Sequence, residues 1–240
     1  MLILAFESSA KAASVALLRD GLLLGEYFQN SGQTHSRTLL KMADDLLANC
    51  DLTPKDVEAV ACAAGPGSFT GVRIGLAAAK GFAWAGELPC YGVSTLEAMA
   101  YSVLPFEGII CCAMDARRNQ VYHGLFRSDG QCLTRLAPDC AISVEELTEN
   151  LSNLHEKKIL VGDGAQLCYN MMKDRLEALC LAPEHLRHQR AAGVALCGYA
   201  MAHRGEAGDG CALVPNYLRL SQAERERMER LQNQNKGDIS

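Results

Sequence analysis

The residues that could do chemistry in this chain are few. Two carboxylates, Glu7 and Asp115, each close a short apolar run, Leu2 to Phe6 and Ile109 to Met114, that reads as a strand. Carboxylate oxygens are hard donors, so a cleft bringing these two together would suit the divalent cation of a bound nucleotide. That chemistry belongs to an ATP-dependent kinase or ATPase. The competing role for each is to cap its own turn, with Arg117 and Arg118 able to neutralise Asp115.

A second candidate is Gly65-Pro66-Gly67-Ser68-Phe69-Thr70-Gly71, placed between an apolar strand and a helix, where backbone amides and the helix dipole could hold a phosphate. It lacks the lysine of a G-x-x-x-x-G-K-[ST] loop, since the basic residue here is Arg73, inside the helix, and a tight structural turn competes with a phosphate cradle. Ser68 is not in a G-x-S-x-G elbow, so nothing specifies covalent catalysis. Of the 6 histidines only His185 and His188 stand close, without a third ligand near them, and no metal site is expected.

The helix after the glycine turn carries Gly71, Gly75, Ala79 and Ala83 at i,i+4 spacing. Glycine inside a helix costs about 1 kcal/mol relative to alanine, so a stripe kept at that cost implies close packing. The packing partner is either the helix's own lobe or another subunit; spacing does not choose. An earlier helix, from Thr34 to Asn49, repeats Leu39, Met42, Ala43, Leu46 and Leu47 on one face.

These groups need elements to position them. The chain opens as a meander of three strands, Leu2 to Phe6, Ala13 to Leu18 and Leu22 to Phe28, with Asp20-Gly21 as the second turn. A helix, a buried strand at Val57 to Ala64 and the glycine-turn helix follow, an α/β order. The opening recurs: Leu4-Ala5-Phe6-Glu7 lies over Cys112-Ala113-Met114-Asp115, and Leu17-Leu18-Arg19 over Leu125-Phe126-Arg127. Two similar α/β lobes, 1–104 and 105–220, are therefore expected, with any site between them and a charged, flexible tail at 221–240.

Composition narrows the function. With 240 residues, 49% hydrophobic and 21% charged, the chain is globular. Its net charge of -5 leaves no basic stripe for gripping nucleic acid alone, and His185 to Arg190 reads as a solvated helix face. The 11 cysteines are odd in number, without a C-x-x-C, and read as reduced core residues. No run has the length of a membrane span or a signal segment, so a cytoplasmic protein is expected.

The string Gly65 to Lys80, with Gly92-Val93-Ser94-Thr95-Leu96, Asp115-Ala116-Arg117, Val121-Tyr122 and Pro215-Asn216-Tyr217-Leu218-Arg219, resembles the TsaB (YeaZ) family across roughly residues 1–219. The resemblance implies an actin/Hsp70-like, ribonuclease H-like duplicated fold whose two lobes have mixed sheets flanked by helices. It also implies a subunit for making N6-threonylcarbamoyladenosine beside the tRNA anticodon. The catalytic relative, TsaD, holds a metal with an H-x-x-x-H motif, and the matching positions here are Thr95 and Met99. A hydroxyl and a thioether do not replace two imidazoles, so the resemblance implies a non-catalytic paralogue without metal or cofactor. It would bind a TsaD-type transferase through the two first-lobe helices, with Leu39, Met42, Leu46, Gly71, Gly75 and Ala79 as interface candidates. A TsaE-type ATPase would dock, tRNA would be held only through the complex, and a homodimer would compete for the same surface. A glycoprotease-type metallopeptidase is a further possibility that Thr95 and Met99 disfavour.

Overall fold

An apolar run buried on both sides must lie inside a sheet covered on both faces. The computed structural model describes residues 1–219, and the tail expected at 221–240 lies outside the described residues. β1 (Leu2–Glu7) is buried at every position and sits at the centre of the first sheet. It pairs antiparallel with β2 (Ala13–Arg19), which pairs with β3 (Leu22–Gln29). The turn between β2 and β3 uses Asp20 at φ 49° and Gly21 at φ 82°, the left-handed pair that matches strand twist in a tight hairpin.

The chain continues through α1 (His35–Asn49), β4 (Ala59–Gly65), α2 (Phe69–Gly86), β5 (Cys90–Ser94) and α3 (Thr95–Tyr101). The second lobe repeats the plan with β6 (Glu107–Asp115), β7 (Gln120–Asp129), β8 (Leu133–Ser143), α4 (Val144–Ser152), β9 (Lys158–Val161), α5 (Ala165–Met172) and β10 (Leu179–Leu181). Short α6 (Glu184–Arg187) and α7 (Ala191–His203) follow. The sheet orders are β3-β2-β1-β4-β5 and β8-β7-β6-β9-β10, the same topology twice.

The duplication is therefore real, but the residue pairing read from sequence slips in its first strand. Leu4 lies opposite Leu17, whereas Leu125, the counterpart of Leu17, lies opposite Cys111 rather than Cys112. Leu4 and Cys111 face the outer helices of their lobes, while Cys112 faces inward. Glu7 thus corresponds to Met114, and Asp115 to Ser8. The slip has a physical reason: both central strands are apolar at nearly every position, so no polar alternation fixes which face is which.

Outer faces are covered by α1 and α2 in the first lobe and by α4 and α5 in the second. Inner faces are covered by exchange. α7, from the second half of the chain, packs Val194 and Ala195 on Ile3, Ala5 and Ala61, while α3 packs Leu96 and Met99 on Ile110, Cys112 and Phe126. The two helices also pack on each other. Fully buried Met99 sits at this junction, where truncation to alanine costs about 2–5 kcal/mol.

Polar contacts reinforce the exchange. Arg135 spans Glu97, at 2.7 Å, and Asp139, and Asp139 also accepts from Ser94 Oγ at 2.5 Å. Arg190 donates to Glu26 at 2.5 and 2.9 Å, and with Arg187 beside Glu184 it makes the 185–190 stretch half-buried and ion-paired rather than a solvated face. Among the described residues no disulfide forms. Six cysteines are buried as expected, but Cys132, Cys180 and Cys211 are exposed.

After α7 the chain doubles back along the first lobe. Cys90 N donates to Gly208 O at 3.0 Å, Lys80 Nζ to Leu213 O at 3.1 Å and Asn216 N to Ala64 O at 2.7 Å. Gly65 admits this strap: a Cβ there would lie 2.5 Å from Asn216 O, and its φ is +115°. Arg219 then reaches the second lobe and donates to Ala116 O at 2.6 Å.

Candidate functional site

A cleft of about 550 Å³ opens between the lobes. The loop after β1 contributes Ser9 and Lys11, and the turn before α2 contributes Gly67 to Thr70. Asp115 to Arg117 line the opposite wall, with Asp163 after β9 and Arg219 from the strap. The duplicated topology brings these together, because both lobes turn their strand ends toward the junction.

The glycine turn is built by close packing. Ser68 N donates to Ser9 O at 2.6 Å, and Ser68 Oγ caps α2 by accepting from Gly71 N at 3.3 Å. A Cβ at Gly67 would stand 2.4 Å from Ser9 O, one at Gly71 2.1 Å from Ser8 O, and one at Gly75 2.6 Å from Ser8 Oγ. The small-residue stripe is thus filled by Ser8 of the loop after β1, its backbone against Gly71 and its hydroxyl against Gly75. All six interface candidates lie inside the first lobe: Gly71, Gly75 and Ala79 against that loop and β1, and Leu39, Met42 and Leu46 in the core beneath α1 and α2. Their burial corrects the expectation that these side chains form a surface.

The opposite side of the helix pair is open. Trp84 is 83% exposed and Leu40 56%, so both stand largely uncovered among the described residues. Arg73, Ala77 and Gly81 share the exposed side of α2 with Trp84. Helical spacing could have located this face, since 73, 77, 81 and 84 fall opposite the glycine stripe.

Glu7 does not reach the cleft. It is fully buried, its Oε1 accepts from Ser9 N at 2.6 Å, and its Oε2 has no hydrogen-bond partner among the described residues. Burial pushes its pKa up to about 7, the hydrogen bonds from Ser9 hold it down, and Asp163 nearby raises it slightly. Asp115 is exposed and its Oδ1 accepts from Arg117 N at 2.7 Å, the local turn-capping role. The facing pair a kinase would need is therefore not presented; Asp115 shares the cleft with Asp163 instead. The carboxyl of Asp163 is raised by its close protein surroundings, opposed by a hydrogen bond from Gln189.

Thr95 and Met99 sit one turn apart at the start of α3 and are fully buried. Met99 packs in the core under the second sheet, and Thr95 Oγ1 has no hydrogen-bond partner. Among the described residues no three His, Cys, Asp or Glu side chains are placed to hold a metal ion, and no helix is long and apolar enough to cross a membrane.

Sequence reasoning missed Lys11, Asp163, Arg219 and the exposed Leu40 and Trp84 as surface groups. Arg117, Arg118 and Asn119 adopt left-handed φ of 65°, 56° and 56° in a loop that carries the first of them into the cleft.

A model of the family described as TsaD, tRNA N6-adenosine threonylcarbamoyltransferase, matches residues 28–226. The tRNA threonylcarbamoyladenosine biosynthesis protein TsaB of Bacillus subtilis (strain 168) is 35% identical over 93% of this chain and 96% of its own. The chain belongs to the TsaB family. The TsaB protein of Escherichia coli (strain K12) is 34% identical over 72% of this chain and 76% of its own. YeaZ from Pseudomonas aeruginosa superposes with TM-score 0.73 at 28% identity, covering 90% of this chain and 99% of that one. A second solved structure from that organism, described as similar to peptidase YeaZ, gives TM-score 0.77 at 29% identity over 91% and 99%. Component A of (R)-2-hydroxyglutaryl-CoA dehydratase from Acidaminococcus fermentans, at TM-score 0.51 and 12% identity, covers 85% of this chain and 99% of its own and shares the fold. The architecture is the actin-like duplicated fold, and family membership assigns the chain to formation of threonylcarbamoyladenosine in tRNA.

Proposed function

We propose that this chain is a non-catalytic subunit that binds a TsaD-type transferase and lets a TsaE-type ATPase dock, in the cytoplasm, for threonylcarbamoyl transfer to the adenosine beside the anticodon. The observation that carries the reading is the start of α3. At the two positions matching the transferase's metal-binding imidazoles stand Thr95 and Met99, both fully buried. No donor set there can polarise a carbonyl, so turnover must be supplied elsewhere.

What the chain offers instead is a surface. Exposed Trp84 and Leu40, with small Ala77 and Gly81 between bulky neighbours, suit close approach of a partner helix pair. The buried residues beneath, Leu39, Met42, Leu46, Gly71, Gly75 and Ala79, hold this face in shape. A second copy of the chain would use the same face, so homodimer and heterodimer exclude one another.

The test is reconstitution. With the transferase, the ATPase and the adenylate-forming synthase supplied, unmodified tRNA is expected to gain threonylcarbamoyladenosine only when this chain is present. The chain without the transferase is expected to give none. Full modification in its absence overturns the reading.

A further inference from the structure

The chain is acidic, with net charge -5, and half of its described arginines sit beside carboxylates. Arg127, Arg135, Arg175, Arg187, Arg190 and Arg204 each hold one within ion-pair distance. The mouth of the interlobe cleft breaks this habit. Lys11, Arg117 and Arg219 line it, Arg118 follows on the same exposed loop, and none of these has a carboxylate partner among the described residues. Arg73 is drawn to the same rim by an aromatic pair. Its Nε donates to Tyr217 Oη at 2.6 Å, and the Tyr217 ring stacks on Phe69 of the cleft wall at 4.4 Å and 22°.

Elsewhere on the surface only Arg19 and Arg37 among the described arginines lack a carboxylate, and they stand apart from one another on β2 and α1. Around the cleft, cations come from four distant chain segments: Lys11, Arg117 and Arg219 line it, and Arg73 bonds Tyr217, whose ring stacks on Phe69 of the wall. Tyr217 is 38% exposed, with Phe69 stacked on its ring and the Arg73 guanidinium 5.5 Å from its centroid, so a base would approach the part of the ring these two leave uncovered. Unpaired cations beside a stackable aromatic are what single-stranded nucleic acid binds, phosphates on the cations and a base on the ring. The strand ends that close the cleft carry Asp115 and Asp163, which repel a phosphate pushed deep inside, so the favourable contact is at the rim.

The geometry points to this rim as a contact for the single-stranded loop of an RNA, with Arg117, Arg118, Lys11 and Arg219 on its phosphates and Tyr217 under a base. The inference rests on the tRNA-modification reading only for the identity of that RNA, an anticodon loop. It departs from the expectation that tRNA is held solely through partners. The net charge concealed the rim because it averages over the whole surface.

The experiment is fluorescence anisotropy of an end-labelled anticodon stem-loop RNA with the purified full chain at 50 and 200 mM KCl. If three to five phosphates are engaged, affinity is expected to fall about 20- to 130-fold over that range, from the single-strand slope of about -0.7 per phosphate. Arg117→Glu with Arg118→Glu is expected to weaken binding at least tenfold at 50 mM. Arg117→Gly with Arg118→Gly, which suits the left-handed backbone, should do the same more mildly and guards against a folding artefact. Tyr217→Ala should lose about tenfold with the salt slope unchanged, and Arg37→Glu should match the parent chain.

No binding at 50 mM, or binding by both double variants equal to that of the parent chain, overturns the inference. So does saturable binding of ATP that displaces the RNA, which would make the cleft a nucleotide site. The assay contains no transferase, so its failure leaves the reconstitution result standing, and failure of reconstitution leaves the anisotropy result standing.

Discussion

The two sides of α2 differ in what they are made for. Its inner side carries Gly71, Gly75, Ala79 and Ala83, all buried against the loop after β1 and the first sheet. Its outer side carries Arg73, Ala77, Gly81 and Trp84, all exposed. Both contain small residues at helical spacing, yet only the inner set is filled, by Ser8, whose O lies against Gly71 and whose Oγ lies against Gly75. Small residues at i,i+4 therefore specify that something comes close without specifying what.

If the inner side decides folding and the outer side association, substitutions should separate the two effects. The largest is expected from Gly71→Leu. A single Cβ there already meets Ser8 O at 2.1 Å, and this neighbour is backbone and cannot rotate away. Loss of the folded monomer is expected, read by circular dichroism and size-exclusion chromatography. A folded monomer that merely fails to bind its partner would return the stripe to the interface.

Next in size is Glu7→Gln, below the same loop. The free carboxyl titrates near 4.5 and the buried one near about 7. Between these values the folded state holds a proton that the unfolded chain releases, so stability falls as pH rises through the window, and the loss is complete above it. Glutamine removes the ionisation and keeps an acceptor for Ser9 N. The variant should be more stable than the parent at pH 8 by on the order of 3 kcal/mol, with a flatter profile between pH 4.5 and 7. Urea unfolding across that range measures it, and parallel profiles would show that Glu7 is not ionised at the cost its burial implies.

The smallest effect on folding should come from the outer side. Trp84→Ala is expected to change stability by less than about 0.5 kcal/mol, as exposed substitutions usually do. Association with the transferase, or with a second copy, should weaken by about 30-fold, the scale of an aromatic hot spot. Calorimetric titration gives the second number, and a substantial drop in unfolding midpoint would merge the two sides into one structural role.

Local elements were legible because they rest on short-range physics. Asp20-Gly21 marked its hairpin by turn chemistry, the Leu39 and Leu46 periodicity marked α1, and the Gly65 to Gly71 turn marked the strand-to-helix passage. Thr95 and Met99 were named from the family resemblance, and the fold shows both fully buried. The inward direction of Leu39, Met42 and Leu46 was not legible, because an apolar helix face reads the same whether a sheet or a partner covers it.

By itself, then, the sequence determined the duplicated α/β plan and the family, both of which depend on residue order over a few positions. The tertiary structure decided which residues are surface and which meet across the lobes. Glu7 and Asp115 looked like partners because two strands buried on both faces carry no mark of parity, and the register put them on opposite faces. Lys11, Arg73, Arg117 and Arg219 looked unrelated because only the fold of both lobes and the returning strap brings them to one rim. Convergence of that kind is a property of the closed topology, and no local pattern encodes it.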